Sequence, residues 1–218
     1  MFLKVAVSSL LSRKGSAVMT LMAISVAIFV LLGIEQIRQQ ARESFASTVS
    51  GVDLIVGAKT GSLNLLLYSV FRIGSPTDNI SWQAYREIAD ADDVAWTIPI
   101  SLGDSHRGYR VVGTTEAFFK YFSFGKKRRL AFYKGEAFEG TFDAVLGSEV
   151  ATALGYSMGT EVILAHGLAS ASFTKHDNQP FVVVGVLAPT GTPVDHTIHV
   201  RLEGCLLYTS DAADDIGR

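Results

Sequence analysis

The 218-residue chain has one cysteine, Cys205, so no intrachain disulfide can form. Whatever compartment it occupies, its fold holds without a covalent staple. It has only five prolines, no internal repeat and no low-complexity tract, which leaves no evident linker between Ser50 and Gly204. Charge is scarce as well: 19 cations and 21 acids leave a net charge of −2. A polyanion-binding protein carries a strong positive excess, so the overall balance gives no bias toward nucleic acid. The usual catalytic and metal signatures are also missing. There is no His-Glu-x-x-His run, no Cys/His pair at zinc-ligand spacing and no obvious acid/base couple of carboxylates. GAKTGS (Gly57–Ser62) resembles a phosphate loop at a glance. It lacks the Gly-Lys-Ser/Thr order and the four-residue glycine spacing of a nucleotide cradle, and turn chemistry accounts for it.

The longest stretch without charge is Ala17–Ile34, AVMTLMAISVAIFVLLGI. As a helix it would rise about 27 Å, close to the roughly 30 Å hydrocarbon core of a bilayer. Thr20 and Ser25 are its only polar side chains, and in a helix each can bond back to its own backbone. No polar stripe interrupts it, so residues 15–34 read as a transmembrane helix. Residues 1–14 alternate apolar side chains with Lys4, Arg13 and Lys14 and contain no acid, giving a short amphipathic segment. By the positive-inside rule that segment stays in the cytoplasm and Glu35 onward emerges on the far side. A secretory signal peptide has the same order of regions. The apolar run is long for one, however, and no small-x-small cleavage site follows it. Ile34, Ile37, Ala41, Phe45 and Thr48 then continue at steps of three and four, so 35–50 is expected to be a helical stalk with one apolar stripe.

From 51 to 204 the rhythm is that of a mixed α/β domain. Val52–Val56 reads as a first strand, and Leu63–Phe71 as a buried helix or an apolar surface patch near lipid. Ser81 is placed to cap a helix Trp82–Ala89. Val94–Ser101 and Tyr109–Gly113 read as strands around a turn at Asp104–Gly108, followed by a helix over Thr114–Tyr121. Asp143–Gly147 is a buried strand and Ser148–Leu154 a helix stopped by Gly155. Thr160–Ala165, Ala169–Thr174, Phe181–Leu187 and Thr197–Leu202 are further β-rich runs. The fold class is therefore α+β: a membrane helix and stalk, then a mixed α/β extracytoplasmic domain.

Three constellations invite a chemical reading. GYSMG (Gly155–Gly159) matches the Gly-x-Ser-x-Gly elbow of serine hydrolases. Ser157 would be the nucleophile, with His166, His176, His196 or His199 and Asp177 or Asp195 completing a triad. That elbow requires a strand before the serine and a helix after it, and here the expected order is reversed. A membrane-anchored serine hydrolase is kept as the alternative function. Five histidines could suggest a metal, and His166 could meet His176 across a hairpin. His196 and His199, three apart on a strand, would point to opposite faces. Solvated loop histidines are the simpler reading, and no metal site is assigned. Lys126–Arg129 (KKRR) sits among Phe122, Phe124, Phe132 and Tyr133. It reads as a solvated loop, with anionic lipid or a partner as its other possible contacts.

Several segments resemble a known family. AVLGSEVATALGYSMGTEVIL is similar to the strand–helix–Gly–strand signature of the periplasmic core domain in MacB-like (FtsX-like) ABC-transporter permeases. PFVVVGVL resembles the strand that follows it there, and GTTEAFFKYF and FYKGEAF resemble the middle of that domain. The N-terminal FLKVAVSSLLSRKGSAVMTLMAISVAIFVLLG looks like the family's entry helix and first span. The resemblance covers Phe2 to about Gly204, and its motifs are structural ones. It implies a permease subunit in the bacterial inner membrane with no enzymatic activity and no cofactor of its own. ATP would be bound by a separate cytoplasmic ABC ATPase, and a second permease copy would pack against this one. Motion of the periplasmic domain would then drive export or extraction of a lipoprotein, peptide or drug-like substrate. The family's three further spans do not follow the domain here, so this chain is expected to be a C-terminally truncated fragment unable to couple to ATP alone. Cys205–Asp214 (CLLYTSDAAD) reads as the translation of a common sequencing adaptor. Residues 205–218 are accordingly expected to be a non-native tail.

Overall fold

A computed structural model describes residues 12–48, 50–74, 78–166 and 180–207. The chain divides into two compact units, Met1–Ala46 and Ser47–Arg218.

The first unit is built on α1 (Lys14–Thr48), a single uninterrupted helix of 35 residues, about 52 Å long. No proline breaks it, so the backbone ladder continues from the apolar run into the stalk. Lys14–Gln40 is long and apolar enough to cross a membrane, and none of it is buried within the protein. Thr20 donates its hydroxyl to the Ser16 carbonyl at 3.0 Å, which satisfies its only polar group without water. Past the apolar run the surface changes character. Arg38 pairs with Glu35 at 3.0 Å and Gln39 donates to the same carboxylate, an exposed arrangement suited to water. The amphipathic start at 1–11 lies outside the described residues.

The second unit opens with residues 52–56 in extended but unpaired conformation, with Leu54 76% exposed. The strand expected there is not formed: among the described residues 52–56 enters no sheet pairing. Helix α2 (Ser62–Ser69) follows and buries none of its residues, so the apolar run LNLLLYSVF makes a surface helix. Helix α3 (Trp82–Ala89) is capped as anticipated: the Ala84 N–H donates to Ser81 Oγ at 3.2 Å.

The sheet lies C-terminal to these. Its strands are β1 (Ser101–His106), β2 (Tyr109–Thr114), β5 (Phe132–Gly135), β6 (Asp143–Leu146), β7 (Glu161–Val162), β8 (Ala165–His166), β9 (Phe181–Leu187) and β10 (Thr197–Arg201), and the spatial order is β5-β9-β6-β10-β2-β1-β8. Strand β7 pairs with the first residues of β9. The sheet is mixed: β10 runs parallel to β2 and β6 parallel to β9, while the other pairs are antiparallel. A separate hairpin joins β3 (Ser123–Phe124) to β4 (Arg128–Arg129). It is tied to the start of the unit by the Ser50 N–H, which donates to the Ser123 carbonyl at 2.9 Å.

Two strand boundaries differ from the sequence reading. Strand β1 begins at Ser101, where the strand Val94–Ser101 was expected to end, and it runs through Asp104 into the expected turn. The turn is compressed into Arg107 and Gly108, both with positive φ, the two-residue geometry that matches the twist of a hairpin. Thr160–Ala165 divides into β7 and β8. Helix α4 (Glu116–Tyr121) starts after Thr115, Thr114 being the last residue of β2. Ala169–Thr174 lies outside the described residues.

Side chains alternate across the sheet to make two cores. On one face Ala144, Leu146, Val183, Val186, Ile198 and Val200 pack with Val150 of α5 (Ser148–Leu154) and with Val162, Leu164 and Cys205. On the other, Val145 and Leu187 meet the phenylalanines of α4 and the hairpin, Phe118, Phe119, Phe122 and Phe124, together with Phe138. Val183 and Val186 are an odd number of residues apart yet share a face. A bulge in the β6–β9 pairing makes that possible, since Ala144 is opposite Val183 but Val145 is opposite Gly185. Strand β10 ends at Arg201, and residues 202–207 make a final helical turn. That turn buries Leu202 and Cys205 and leaves Leu206 and Leu207 exposed.

Candidate functional site

The GYSMG loop is a helix-to-strand turn. Helix α5 precedes it, Gly155 stops that helix with φ +67, and β7 follows. Ser157 is exposed, its N–H donates to Thr160 Oγ1 at 3.1 Å, and its carbonyl accepts from the Thr160 N–H at 3.1 Å. The serine closes a tight turn and is not thrust forward by a strand, which is the reverse of the elbow geometry. The histidine that reaches this loop is His106, which is absent from the four proposed as triad partners. Its Nε2 lies 2.9 Å from the Tyr156 hydroxyl and its Nδ1 2.7 Å from the Ile163 carbonyl. The carbonyl can only accept, so Nδ1 carries a proton and donates to it, while Nε2 and the tyrosine hydroxyl share the second bond. Burial lowers its pKa, the Ile163 bond opposes that effect, and Arg107 adds to it. Both ring nitrogens are thereby occupied. His106 holds the loop to β1.

The other histidines are not assembled either. His199 is wholly buried on β10, a central strand, with its ring 4.8 Å from that of Phe118. Neither of its nitrogens has a hydrogen-bond partner among the described residues. The reading of solvated loop histidines fails for His106 and His199, because both lie on sheet strands that are buried at those positions. Burial, reinforced by the Arg72 guanidinium, pushes the His199 pKa down to about 3, and the Val145 backbone opposes this weakly. Arg72 is itself buried, donates to the Ser69 carbonyl, and has its own pKa lowered to about 10 by burial. His196 is exposed, in the 3-10 turn Pro193–His196. Asp195 is engaged elsewhere. It accepts from the Thr190 N–H at 2.9 and 3.0 Å, the Thr190 hydroxyl at 2.9 Å and the Gly191 N–H at 2.7 Å. His166 lies on β8, its backbone in register with Asp104. His176 and Asp177 lie outside the described residues. Among the described residues no group of three His, Cys, Asp or Glu is placed to hold a metal.

KKRR is not a loop but the turn and second strand of the β3–β4 hairpin. Phe124 pairs with Arg128 and Ser123 with Arg129, so Gly125, Lys126 and Lys127 form the connection. Phe122 and Phe124 point into the second core, and Lys126, Lys127, Arg128 and Arg129 stay exposed. Arg128 lies over the Phe124 ring at 4.6 Å, and Lys120 over Tyr121 at 4.9 Å. Arg129 donates to the Lys120 carbonyl, joining the hairpin to the end of α4. The sequence reading recognised the basic run but not the pairing that fixes it, since two-residue strands have too little alternation to be seen.

A second surface feature is apolar. Leu54, Val56, Leu63, Ile73, Ile80 and Trp82 are all exposed along the N-terminal part of the same unit. This segment is held to the sheet through polar contacts, with Arg110 of β2 donating to the Gly74 carbonyl.

The model of the MacB-like periplasmic core domain matches residues 17–209. No curated protein matches the chain. Among solved structures, the chain is similar to the crystal structure of the periplasmic region of MacB from Actinobacillus actinomycetemcomitans, with 13% identity and a TM-score of 0.41. That likeness covers 62% of this chain and 61% of the other, so the chain spans about three-fifths of that structure.

Proposed function

The chain belongs to the family of MacB-like periplasmic core domains, and on that premise we propose that it is the permease subunit of an ABC transporter. The family is of the ABC-transporter permease type, and its members are transporter components rather than enzymes. In this reading α1 anchors the protein in the bacterial inner membrane, with residues 1–14 in the cytoplasm and the sheet domain in the periplasm. A separate cytoplasmic ATPase supplies the energy, a second permease copy packs beside this one, and the cargo is a lipoprotein, peptide or drug-like molecule. The observation that carries the reading is the extent of the family match. It begins at Ala17, the first residue of the apolar run, and continues through the sheet to residue 209, so anchor and domain are matched together.

Orientation gives the direct test. Asp92→Cys places a thiol on an exposed turn of the domain, and Ser12→Cys places one before the span. In intact spheroplasts a membrane-impermeant maleimide is expected to label Asp92→Cys and to reach Ser12→Cys only after lysis. Labelling in the opposite order, or release of the chain by alkaline carbonate, would overturn the placement. Purification of the tagged chain from its native membranes tests the partner: an ABC ATPase is expected to copurify, and its absence would count against the permease reading.

A further inference from the structure

We propose that the β3–β4 hairpin and its flanks form a preorganised docking surface for an acidic, extended segment of a partner protein. Between Glu116 and Glu136 the chain carries Lys120, Lys126, Lys127, Arg128, Arg129 and Lys134 and no acid. That is six of the nineteen cationic residues of a chain whose net charge is −2, so the rest of the protein is net acidic and this stretch stands out as an acid-free cluster of positive charge within the second unit. All six side chains are exposed, and among the described residues none is paired with a carboxylate. Their charge is therefore available to a partner.

The patch is also held in shape. Hairpin pairing fixes Arg128 and Arg129, the Phe124 ring lies under the Arg128 guanidinium, and the bond from Arg129 to the Lys120 carbonyl locks the end of α4 to the hairpin. A partner need not order these elements on binding, which lowers the entropic cost of association. Strand β5 continues the patch along the sheet edge, with Tyr133 69% exposed and the Lys134 ammonium 5.6 Å from its ring. Pairing of a partner strand with β5 is disfavoured by the bulge between Phe132 and Lys134 and by the charge on that edge. Recognition would thus run through side chains: guanidinium forks for carboxylates and Tyr133 for an apolar or aromatic neighbour. A lipid surface fits less well. The hairpin tip is Gly125, Lys126 and Lys127, and Phe122 and Phe124 are buried in the core, so the tip has no apolar side chain to enter a bilayer.

The test uses the full chain in a neutral detergent and a fluorescein-labelled peptide of alternating glutamate and glycine, read by anisotropy at about 150 mM salt. The combined substitution Lys126→Gln, Lys127→Asn and Arg128→Gln removes three exposed charges. At about a factor of two for each exposed ion pair, binding is expected to weaken about tenfold. The control Lys59→Gln with Arg86→Gln removes exposed cations elsewhere in the same unit and is expected to leave binding unchanged. Thermal unfolding of the triple variant should match that of the parent, which separates lost contact from lost fold. Equal weakening by the control pair, or no weakening by the triple, overturns the proposal. So does binding of phosphatidylglycerol vesicles through these three residues with no binding of the peptide, which would make the occupant a membrane. None of these outcomes depends on whether the protein acts as a permease.

Discussion

His199→Leu is expected to make the domain less sensitive to acid. His199 is fully buried at the centre of the sheet, opposite Val145 on one side and Val112 on the other. Burial first, and Arg72 second, lower its pKa from 6.5 to about 3. Between those values the unfolded chain binds a proton that the native protein does not. Stability therefore rises with pH through that window and is fully present only above about 6.5. Each pH unit below that point costs about 1.4 kcal/mol, so moving from pH 7 to pH 5 costs ~2 kcal/mol through this residue alone. Leucine has a similar volume and no proton to bind. At pH 7 the substitution removes two buried nitrogens that have no hydrogen-bond partner among the described residues, a gain of about 1–3 kcal/mol, and loses the ring contact with Phe118, a loss of about 1 kcal/mol. The net change at neutral pH is expected to be small.

Urea unfolding of the full chain in detergent, followed by tryptophan fluorescence, measures this. Both tryptophans of the chain, Trp82 and Trp96, lie in the second unit, so the signal reports that unit. Wild-type protein is expected to lose ~2 kcal/mol more than His199→Leu between pH 7 and pH 5. His106, whose pKa is also lowered, is present in both proteins and cancels in the difference. An equal loss in the two would refute the reasoning, because it would mean that His199 is protonated alike in the folded and unfolded states.

Three other substitutions or reactions probe separate parts of the domain. Gly147→Ala should destabilise by about 3 kcal/mol in the same urea assay, because the added Cβ would lie 2.3 Å from the Val194 carbonyl oxygen and 2.4 Å from that of Asp195. Asp195→Asn should cost about 2–3 kcal/mol, since the amide turns a donor toward N–H groups of Thr190 and Gly191 that now bond a carboxylate. Burial, then Asp104 at 3.6 Å, pushes the Cys205 thiol up to about 12. At pH 8 the native protein should react with Ellman's reagent about a thousandfold more slowly than the same chain in guanidinium, and comparable rates would show that the thiol is not buried.

The elements that were legible in the sequence are those with one strong periodic signal. The apolar run and the stalk share a single 3.6-residue register, and α1 carries both without interruption. Ser81 and Gly155 are local signals with local causes, a capping hydroxyl and a left-handed residue, and they open one helix and end another where expected. Phe181–Leu187 was visible because it is a continuous apolar run, most of it buried. Strand β1 was misplaced because its inward residues are Asp104, Ser105 and His106, all buried and all polar. A polar triplet before Arg-Gly has the composition of a turn. Only the pairing with β2 and β8 makes it a strand, and pairing is not a local property. Val52–Val56 erred in the other direction. Its β-branched composition suits a strand, but among the described residues it pairs with no other strand.

The same distinction explains what could be read of the candidate site. GYSMG looked catalytic by composition and was discounted by order, helix before and strand after, and the structure has that order. Order is inherited by the fold, whereas composition alone is shared by turns and nucleophile elbows. The histidines could not be sorted in this way. His196 and His199 differ by three positions, yet one is exposed on a 3-10 turn and the other is sealed between Phe118 and the sheet. What separates them is the register of β10 against β2 and β6, set by residues more than fifty positions away. The basic run needed neither register nor order to be noticed. What the fold adds is rigidity: paired strands, a ring beneath Arg128 and a bond across to α4 turn a run of charge into a surface with a shape. A flexible loop of the same composition would attract an acidic segment without orienting it, and the triple substitution measured beside the Lys59/Arg86 control distinguishes a located surface from diffuse attraction.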